Sequence, residues 1–296
     1  MNKLVSVIIP CYNQGVYLKE AIRSVLSQTY SFFEIIVVDD GSSENIEKII
    51  EYEPKIKFIK QKNQGVSVAR NNGLYNGSGH YIVFLDADDR LLPNALEIGV
   101  RFLEQNAECA YVSGHVRFIA NNGDYIETPS QPTIEKNHYE QLLQTNYIWT
   151  PGAVMYRKSI LNNQTVFNRE AERCEDLELN LRIARTSTIA CHGYTILDYR
   201  QHNGNISNNI VYMLKSELKV RKAEYAYIKH DERLLSHWRK GIQNTKKHAG
   251  RRLISEIEKN LKEPMLRKQA FKDLGNLIKY CPEGFLRFLR HKLTRS

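Results

Sequence analysis

The chain has 296 residues with a formal net charge of +9, and 42% of them are apolar, which supplies a sizeable core and excludes an intrinsically disordered protein. No apolar run is long enough for a transmembrane helix, and the first residues lack the apolar stretch and cleavage site of a signal peptide, so we expect a cytoplasmic protein. The five cysteines are widely spaced and form no C-x-x-C pair, which argues against a disulfide framework and a structural zinc site.

Strand-like and helix-like segments alternate through the first third of the chain. Short runs of β-branched and aromatic residues predict buried strands, and apolar residues at helical spacing predict a helix after each strand. This alternation, with short loops, predicts a parallel, doubly wound α/β sheet with right-handed crossovers. The predicted strands span 4–9, 33–38, 56–59 and 81–85, and the helices lie at 16–28, around 46–50, at 65–75 and at 93–106.

The pattern changes after residue 106. Shorter strands are separated by polar loops, and an Asn-Asn-Gly turn at 121–123 predicts a hairpin. Acidic residues at 175–176 open a further helix, where they suit its positive N-terminal end. The predicted strands span 109–112, 115–120, 153–156, 188–194 and 197–200.

Three carboxylates follow the strand predicted at 81–85. Asp86, Asp88 and Asp89 would repel one another without a positive charge among them, and a hard cation such as Mg²⁺ or Mn²⁺ takes such oxygen ligands. Ligands also collect at the carboxyl ends of strands in open α/β sheets. The alternative is that Asp88 or Asp89 caps the helix that Pro93 helps to start, but capping accounts for one acidic residue rather than three.

Other phosphate-binding motifs are missing from the sequence. Neither Gly-x-Gly-x-x-Gly nor Gly-x-x-x-x-Gly-Lys-Ser/Thr follows any predicted strand, and the acidic turn lacks the ligands of an EF-hand loop. Phosphate groups would therefore have to be met by a metal ion and basic side chains.

Five motifs in order make the first 210 or so residues similar to the inverting family 2 glycosyltransferases of bacterial polysaccharide biosynthesis. The nucleotide-sugar-binding domain of that family has the GT-A fold, with a mostly parallel, doubly wound central sheet. The order and spacing of the motifs are more specific than any one of them. They are Val5-Ser6-Val7-Ile8-Ile9-Pro10 with Tyr12-Asn13, Val38-Asp39-Asp40-Gly41-Ser42, Gly65-Val66-Ser67-Val68-Ala69-Arg70-Asn71, Asp86-Ala87-Asp88 and Glu175-Asp176.

The resemblance implies a uridine site at the ends of the first strands. Asp39 would accept a hydrogen bond from the imide nitrogen of uracil, and Pro10 and Tyr12 would wall the base. Arg70 would lie near the base or the diphosphate. The alternative for Asp39 and Asp40 is a turn followed by a helix cap, and we leave Asp40 as a cap or a ribose contact.

The resemblance also implies a metal site and a base. Asp86 and Ala87 would lie at the nucleotide, with Asp86 reaching the ribose, while Asp88, together with Asp86 and His202, would hold Mn²⁺ or Mg²⁺. The cation would stabilise the charge that grows on the departing diphosphate. The alternative for His202 is an ordinary surface-loop histidine.

Asp176 is the candidate general base, with Glu175 as the neighbour that could take that part instead. The alternative is that both carboxylates only complement a helix dipole. Trp149 and Gly152 would shape the pocket for sugar and acceptor, although Trp149 suits the core equally well.

The basic charge lies at the end of the chain. Residues 212–296 hold 22 Lys and Arg against 9 Asp and Glu, which leaves a net charge of −4 before them. The segment reads as helical, and at its end an amphipathic pattern places residues 285, 286, 288, 289 and 293 on one apolar side, which suggests an interfacial helix on an anionic membrane. The alternative is a helical appendage that packs on the catalytic domain or on a partner.

The sequence therefore predicts a GT-A domain at 1–210 and a basic, mainly helical region at 211–296. The expected activity is metal-dependent, inverting transfer of a hexose or N-acetylhexosamine from a UDP-sugar to a saccharide acceptor, lipid-linked in our preferred interpretation. We expect the protein in the cytoplasm or peripherally on the inner face of the membrane, with no nucleic-acid partner, and the oligomeric state stays open. The alternatives are a nucleotidyltransferase and an inactive nucleotide-sugar-binding subunit.

Overall fold

A computed structural model of the chain describes residues 3–50, 54–161, 166–171 and 173–293. They form two compact units. The first takes its residues from 1–139 and 146–203, and the second from 140–145 and 204–296. The division into 1–210 and 211–296 stays a prediction of domain limits.

The first unit is built on a mixed sheet of nine strands in the described residues. Its order is β3-β2-β1-β4-β8-β6-β9-β5, and β7 pairs with β6 beside this path. Six of the nine strands run in one direction, and β5, β7 and β8 run in the other. The strands are β1 Val5–Cys11, β2 Phe33–Asp39, β3 Ile56–Lys60, β4 Tyr81–Phe84, β5 Arg90–Leu91, β6 Cys109–Ile119, β7 Tyr125–Glu127, β8 Val154–Arg157 and β9 Thr188–Arg200.

The parallel part of the sheet, β3-β2-β1-β4, is the part that the alternating pattern predicts. Every residue of β1 and β4 is buried, because helices cover both faces of a parallel sheet at its central strands. The register places Cys11 beside Asp39 and Ile8 beside Phe84. The carboxyl ends of β1, β2 and β4 therefore meet at one edge of the sheet.

Two expected strand breaks and one expected strand end do not occur. The segments predicted at 109–112 and 115–120 form the single strand β6, and those at 188–194 and 197–200 form β9. Bulges between β6 and β9 absorb the irregular residues, and Gly193 adopts a φ of +71° without ending its strand. Pro10 lies inside β1 rather than after it. The pairing of β1 with β4 ends at Ile8, so no backbone N–H is needed towards β4 at position 10, and proline, which lacks one, is tolerated there.

Helices flank the sheet, and their bounds differ from the predicted ones by a few residues. The apolar stripe of α4 faces the core, where Leu96, Val100 and Leu103 are buried. The later residues of α5 belong to the second unit. The helices of the described residues up to 203 are α1 Gly15–Leu26, α2 Ile46–Ile49, α3 Val66–Asn76, α4 Ala95–Gln105, α5 His138–Gln144 and α6 Glu175–Ala184.

The second unit is helical, as the sequence predicts. Asn209 and Asp231 cap its first two helices through their side chains. Arg221 is buried there and donates hydrogen bonds to the carbonyl oxygens of Leu142 and Leu143, which ties residues 140–145 into this unit. Its helices are α7 Ile210–Ile228, α8 Glu232–Lys262, α9 Arg267–Tyr280 and α10 Pro282–Leu293.

The terminal helix α10 does not keep one free apolar side. Phe285 and Phe288 are partly buried and pack against the core that Leu253, Ile257 and Leu277 help to form. Leu286 and Leu289 remain exposed on α10, so the predicted apolar side is divided between core and surface. None of the helices in the described ranges is long and apolar enough to cross a bilayer.

Candidate active site

The acidic loop, residues 86–89 after β4, lies at the edge of the sheet. Asp89 is the most buried of its three carboxylates. Asp89 accepts hydrogen bonds from the backbone N–H of Arg200 at 3.0 Å and from the Thr150 hydroxyl at 3.3 Å. It does not cap the next helix, whose N-cap residue is Asn94. The capping interpretation of Asp89 is therefore wrong: this carboxylate joins the acidic loop to the end of β9.

Arg200 also binds the acidic loop, although the sequence did not predict a role for it. Its side chain is fully buried and donates from Nε to the Asp88 carbonyl oxygen at 2.8 Å, from one terminal nitrogen to the Asn121 carbonyl oxygen at 2.9 Å and from the other to Glu20 at 2.6 Å. The guanidinium also lies 5.0 Å from the centre of the Tyr17 ring. The position of Arg200 at the end of a predicted strand was the one sequence signal for this role.

Asp88 and His202 are brought together as the resemblance implied. The imidazole Nε2 of His202 lies 2.9 Å from Asp88 Oδ2, and the Gln14 amide donates to the same oxygen at 3.2 Å. The His202 ring stacks on Tyr17 with 5.1 Å between centres, so it is held in place rather than free at the surface. Burial raises the pKa of Asp88, and the negative charge of Asp86 adds to this effect.

Arg70 connects the acidic loop to α6. Its guanidinium is buried and donates one hydrogen bond to Asp86 at 2.6 Å and another to Glu175 at 2.7 Å. It also lies 5.1 Å from the centre of the Phe167 ring. Arg70 thus lies between two carboxylates, and its predicted contact with the base or diphosphate stays a prediction.

Asp176 lies beside Glu175 in the first turn of α6 and is only partly buried. Burial raises its pKa to about 7, and the neighbouring charge of Glu175 acts in the same direction, while the Leu177 N–H and Arg70 oppose the rise. A carboxylate with this pKa can accept a proton near neutral pH. Glu175, in contrast, is buried and directly ion-paired.

The two aspartates at the end of β2 have different surroundings. Asp40 accepts hydrogen bonds from the Gln61 side chain and from the backbone N–H groups of Gln64 and Gly65, so it fixes the loop that starts α3. Asp39 accepts one from the Ser42 N–H at 2.9 Å through Oδ1. Its Oδ2 is buried without a hydrogen-bond partner, since the Lys60 ammonium lies 3.9 Å away.

The segment predicted to wall the base, at and just after the end of β1, lies next to Asp39. Pro10 is buried and Tyr12 is 49% exposed, so one of the two predicted walls is fixed and the other is open to solvent. Asn13 adopts a φ of +52° and accepts a hydrogen bond from the Ser43 N–H at 2.8 Å, which ties the loop after β1 to the loop after β2. The unusual backbone conformation of Asn13 therefore occurs where the two loops contact each other.

Of three further predicted site residues, Ala87 and Gly152 lie in packed surroundings, whereas Trp149 is exposed, so its alternative assignment to the core is wrong. Ala87 belongs to the hydrophobic core of the sheet. Gly152 is buried, and a Cβ atom there would approach a Leu197 methyl group to 2.6 Å, so close packing explains the glycine. Trp149 stacks on Phe118 at 5.5 Å. The contacts of these residues with nucleotide, sugar or acceptor stay predictions.

The donor set at the acidic loop suits a hard cation. Asp86 and Asp88 offer carboxylate oxygens and His202 offers an imidazole nitrogen, a combination that Mn²⁺ accepts. Burial and the charge of Asp86 both disfavour the ionised form of Asp88 and raise its pKa, and a bound cation would offset this penalty. Across the described part of the chain, no three His, Cys, Asp or Glu side chains already stand close enough together to hold a metal ion.

The comparisons with known proteins agree with one another. The model of the family described as "Glycosyl transferase family 2" matches residues 6–164. An uncharacterized glycosyltransferase of Rickettsia typhi is 30% identical over 219 residues, which cover 72% of this chain and 69% of the relative. One of Rickettsia conorii is 36% identical over 190 residues, which cover 62% of this chain and 31% of the relative. The chain spans less than a third of the length of this protein and of two further Rickettsia relatives.

A solved structure confirms the fold class. The crystal structure of Staphylococcus aureus TarS 1-349 in complex with UDP-GlcNAc matches with a TM-score of 0.62 at 16% identity, covering 97% of this chain and 92% of TarS 1-349. The predicted GT-A fold, with a mostly parallel sheet followed by a helical region, is therefore confirmed. The match of the family model to more than half of the chain and the shared fold lead to one conclusion: the chain belongs to glycosyltransferase family 2.

Proposed function

We propose that the protein is a metal-dependent, inverting glycosyltransferase that moves a hexose or N-acetylhexosamine from a UDP-sugar to a saccharide acceptor. The observation that carries the proposal is the connection of Asp176 to the acidic loop through Glu175, Arg70 and Asp86. The buried guanidinium of Arg70 would thus link the proposed cation site to Glu175, the chain neighbour of the proposed base Asp176, whose pKa burial raises to about 7.

The proposed donor carries uridine diphosphate. The buried Oδ2 of Asp39 lacks a hydrogen-bond donor, and the imide N–H of uracil would supply one. A cytosine ring has no N–H at the corresponding position, so it would leave this oxygen unpaired. The fold neighbour TarS was solved with UDP-GlcNAc, which is consistent with this donor class.

Asp86, Asp88 and His202 would hold the cation, for which we propose Mn²⁺ or Mg²⁺. When bound, it would offset negative charge on the donor diphosphate. Gln14 and Tyr17 keep Asp88 and His202 in place before the donor arrives.

Asp176 would take the proton of the acceptor hydroxyl as that oxygen attacks the anomeric carbon. Attack opposite the leaving diphosphate inverts the configuration, so an α-linked donor would give a β-linked product. Glu175 is the weaker candidate for this base, because its contact with Arg70 buries it in the link to Asp86. We assign it the positioning of Arg70.

The proposed acceptor is a lipid-linked saccharide, and the proposed place of action is the cytoplasmic face of a membrane. The support is the basic charge of residues 212–296, which would favour an anionic surface. Action in the synthesis of a cell-surface polysaccharide or glycoconjugate would follow from such an acceptor.

Donor hydrolysis tests the reaction without a known acceptor. UDP-glucose, UDP-galactose and UDP-GlcNAc would be incubated with the protein and Mn²⁺, and proton NMR would follow the first-formed sugar before it mutarotates. We expect the β-anomer and release of UDP, with loss of both in Asp176→Asn and retention of both in the matched surface variant Asp124→Asn. Formation of the α-anomer would refute inversion, and equal activity of Asp176→Asn would refute the assigned base.

A further inference from the structure

The outward face of α9 in the helical unit exposes large apolar side chains. Phe271 is 66% exposed and Ile278 is 47% exposed. Seven residues make about two helical turns, so the two side chains lie on one line along the helix. Gly275 lies between them and has open space where a side chain would stand. Met265, just before the helix, is 95% exposed.

Lysines run beside this apolar line. Lys268, Lys272 and Lys279 are exposed and lie roughly 60–100° around the helix from Phe271, as 3.6 residues per turn require. The acidic residue within α9 is Asp273, which is buried and accepts hydrogen bonds from Gln269. The exposed face of α9, all of whose residues are described, therefore carries positive charge without an exposed carboxylate.

Exposed large side chains also occur on α7, where they are Tyr225 and Tyr227, and on α10, where they are Leu286 and Leu289. The opposite side of α9 is packed, with Ala270 and Leu277 buried, so the helix has one apolar side in the core and a second in solvent. The longer helix α8 is fully described and exposes no large hydrophobic side chain; Lys240 and Lys247 stand on its polar surface. The exposed face of α9 thus combines apolar side chains with lysines, whereas the exposed surface of α8 is basic without large apolar side chains.

We propose that the outward face of α9 binds the surface of an anionic lipid membrane. Phe271 and Ile278 would enter the boundary between headgroups and acyl chains, and Lys268 and Lys272 would meet lipid phosphates. Nucleic acid fits this face less well, because it presents a single exposed aromatic side chain rather than a series on which bases could stack. The membrane is therefore the occupant that matches both the apolar and the basic part.

This proposal places the membrane contact on α9 instead of on the predicted apolar side of α10, where Phe285 and Phe288 pack against the helical core. Binding through α9 would bring the enzyme to the membrane that carries the proposed lipid-linked acceptor. The biological meaning of this contact rests on the proposed function. Vesicle binding needs neither donor nor acceptor. A failure of this inference is therefore distinguishable from a failure of the transferase proposal.

Co-sedimentation of the full chain with vesicles tests the inference. Vesicles of phosphatidylcholine alone would be compared with vesicles that also contain phosphatidylglycerol, each at low and at high salt. We expect binding only to the anionic vesicles and weaker binding at high salt. Each basic residue near an anionic leaflet contributes about fivefold in affinity, so Lys268→Gln with Lys272→Gln should lower the affinity roughly 25-fold.

Matched variants separate the α9 face from overall charge. Lys240→Gln with Lys247→Gln in α8 removes the same charge and should change the affinity several-fold less. Phe271→Gln with Ile278→Gln should also weaken binding, whereas Tyr75→Gln, which removes an exposed aromatic ring elsewhere, should not. Circular dichroism and thermal midpoints would check that each variant folds.

Three outcomes would overturn the inference. Equal losses in the α8 and α9 lysine variants would show that only general charge attracts the protein. Unchanged binding of the Phe271 and Ile278 variant would remove the apolar contact. Binding to a duplex oligonucleotide without binding to anionic vesicles would assign the basic face to nucleic acid instead.

Discussion

Replacing Asp176 with asparagine should remove activity and at the same time stabilise the protein. In the folded chain the pKa of this carboxyl is raised from 3.8 to about 7, chiefly by burial. The folded state therefore binds the proton more tightly than the unfolded state, so stability is highest below the unfolded pKa and falls as pH rises through about 7. Asparagine has no charge to desolvate and keeps an oxygen that can accept the hydrogen bond from the Leu177 N–H.

The magnitude follows from the pKa shift. A rise of the pKa from 3.8 to about 7 corresponds to about 4 kcal/mol, which is an upper value because Asp176 is partly exposed. Asp176→Asn should therefore raise the free energy of unfolding at pH 8 by as much as about 4 kcal/mol and leave it nearly unchanged at pH 4. Loss of a general base should lower the rate by roughly 10²–10⁴-fold.

Two assays check this prediction. Thermal unfolding of the native chain and of Asp176→Asn between pH 4 and pH 8 should show midpoints that diverge as pH rises. The kcat/KM of donor hydrolysis by the native protein should rise with pH to a plateau, with a midpoint near 7. Equal midpoints at every pH, or an activity that does not change between pH 5 and pH 8, would refute the environment that we assign to Asp176.

Other substitutions test the structure around the site. Arg70→Met should destabilise the first unit by about 3–5 kcal/mol in chemical denaturation, because two carboxylates lose their partner, and adding Glu175→Gln should recover part of the loss. Arg200→Lys should weaken UDP binding with Mn²⁺ about tenfold in calorimetry, since lysine cannot make the separate contacts that hold the acidic loop; unchanged affinity would contradict its positioning role. Leu253→Ala should cost about 2–5 kcal/mol and speed hydrogen exchange in α7–α9 while β1–β4 keep their protection, and a uniform effect on both units would argue against separate cores.

The parallel half of the sheet could be predicted because its strands are short, mostly apolar runs that alternate with helices along the chain. Burial on both faces selects such residues locally, so the signal needs no knowledge of distant partners. β6 and β9 could not be read in the same way. Their polar and glycine residues, such as Ser113 and Gly193, suggest loops, but pairing between the two strands absorbs them as bulges.

The candidate site was predictable where its residues lie close together in the sequence. Asp86, Asp88 and the pair at 175–176 were found from local motifs, and the contact between Asp88 and His202 came only from the resemblance. The role of Arg200 was missed because its contacts join residues far apart along the chain. No local pattern shows that a buried arginine will bind the carbonyl oxygen of Asp88.

Thermal stability with nucleoside diphosphates is the most direct test of the proposed donor site. UDP, GDP, ADP and CDP would be compared with and without Mn²⁺ for the native chain, Asp88→Ala and the surface control Asp124→Ala. A ligand at about 100 times its dissociation constant stabilises a protein by about 2.7 kcal/mol, which gives a measurable rise of the midpoint. We predict such a rise for UDP with Mn²⁺ in the native chain and in Asp124→Ala, and none in Asp88→Ala. No rise with any nucleotide, or an equal rise in Asp88→Ala, would contradict the account.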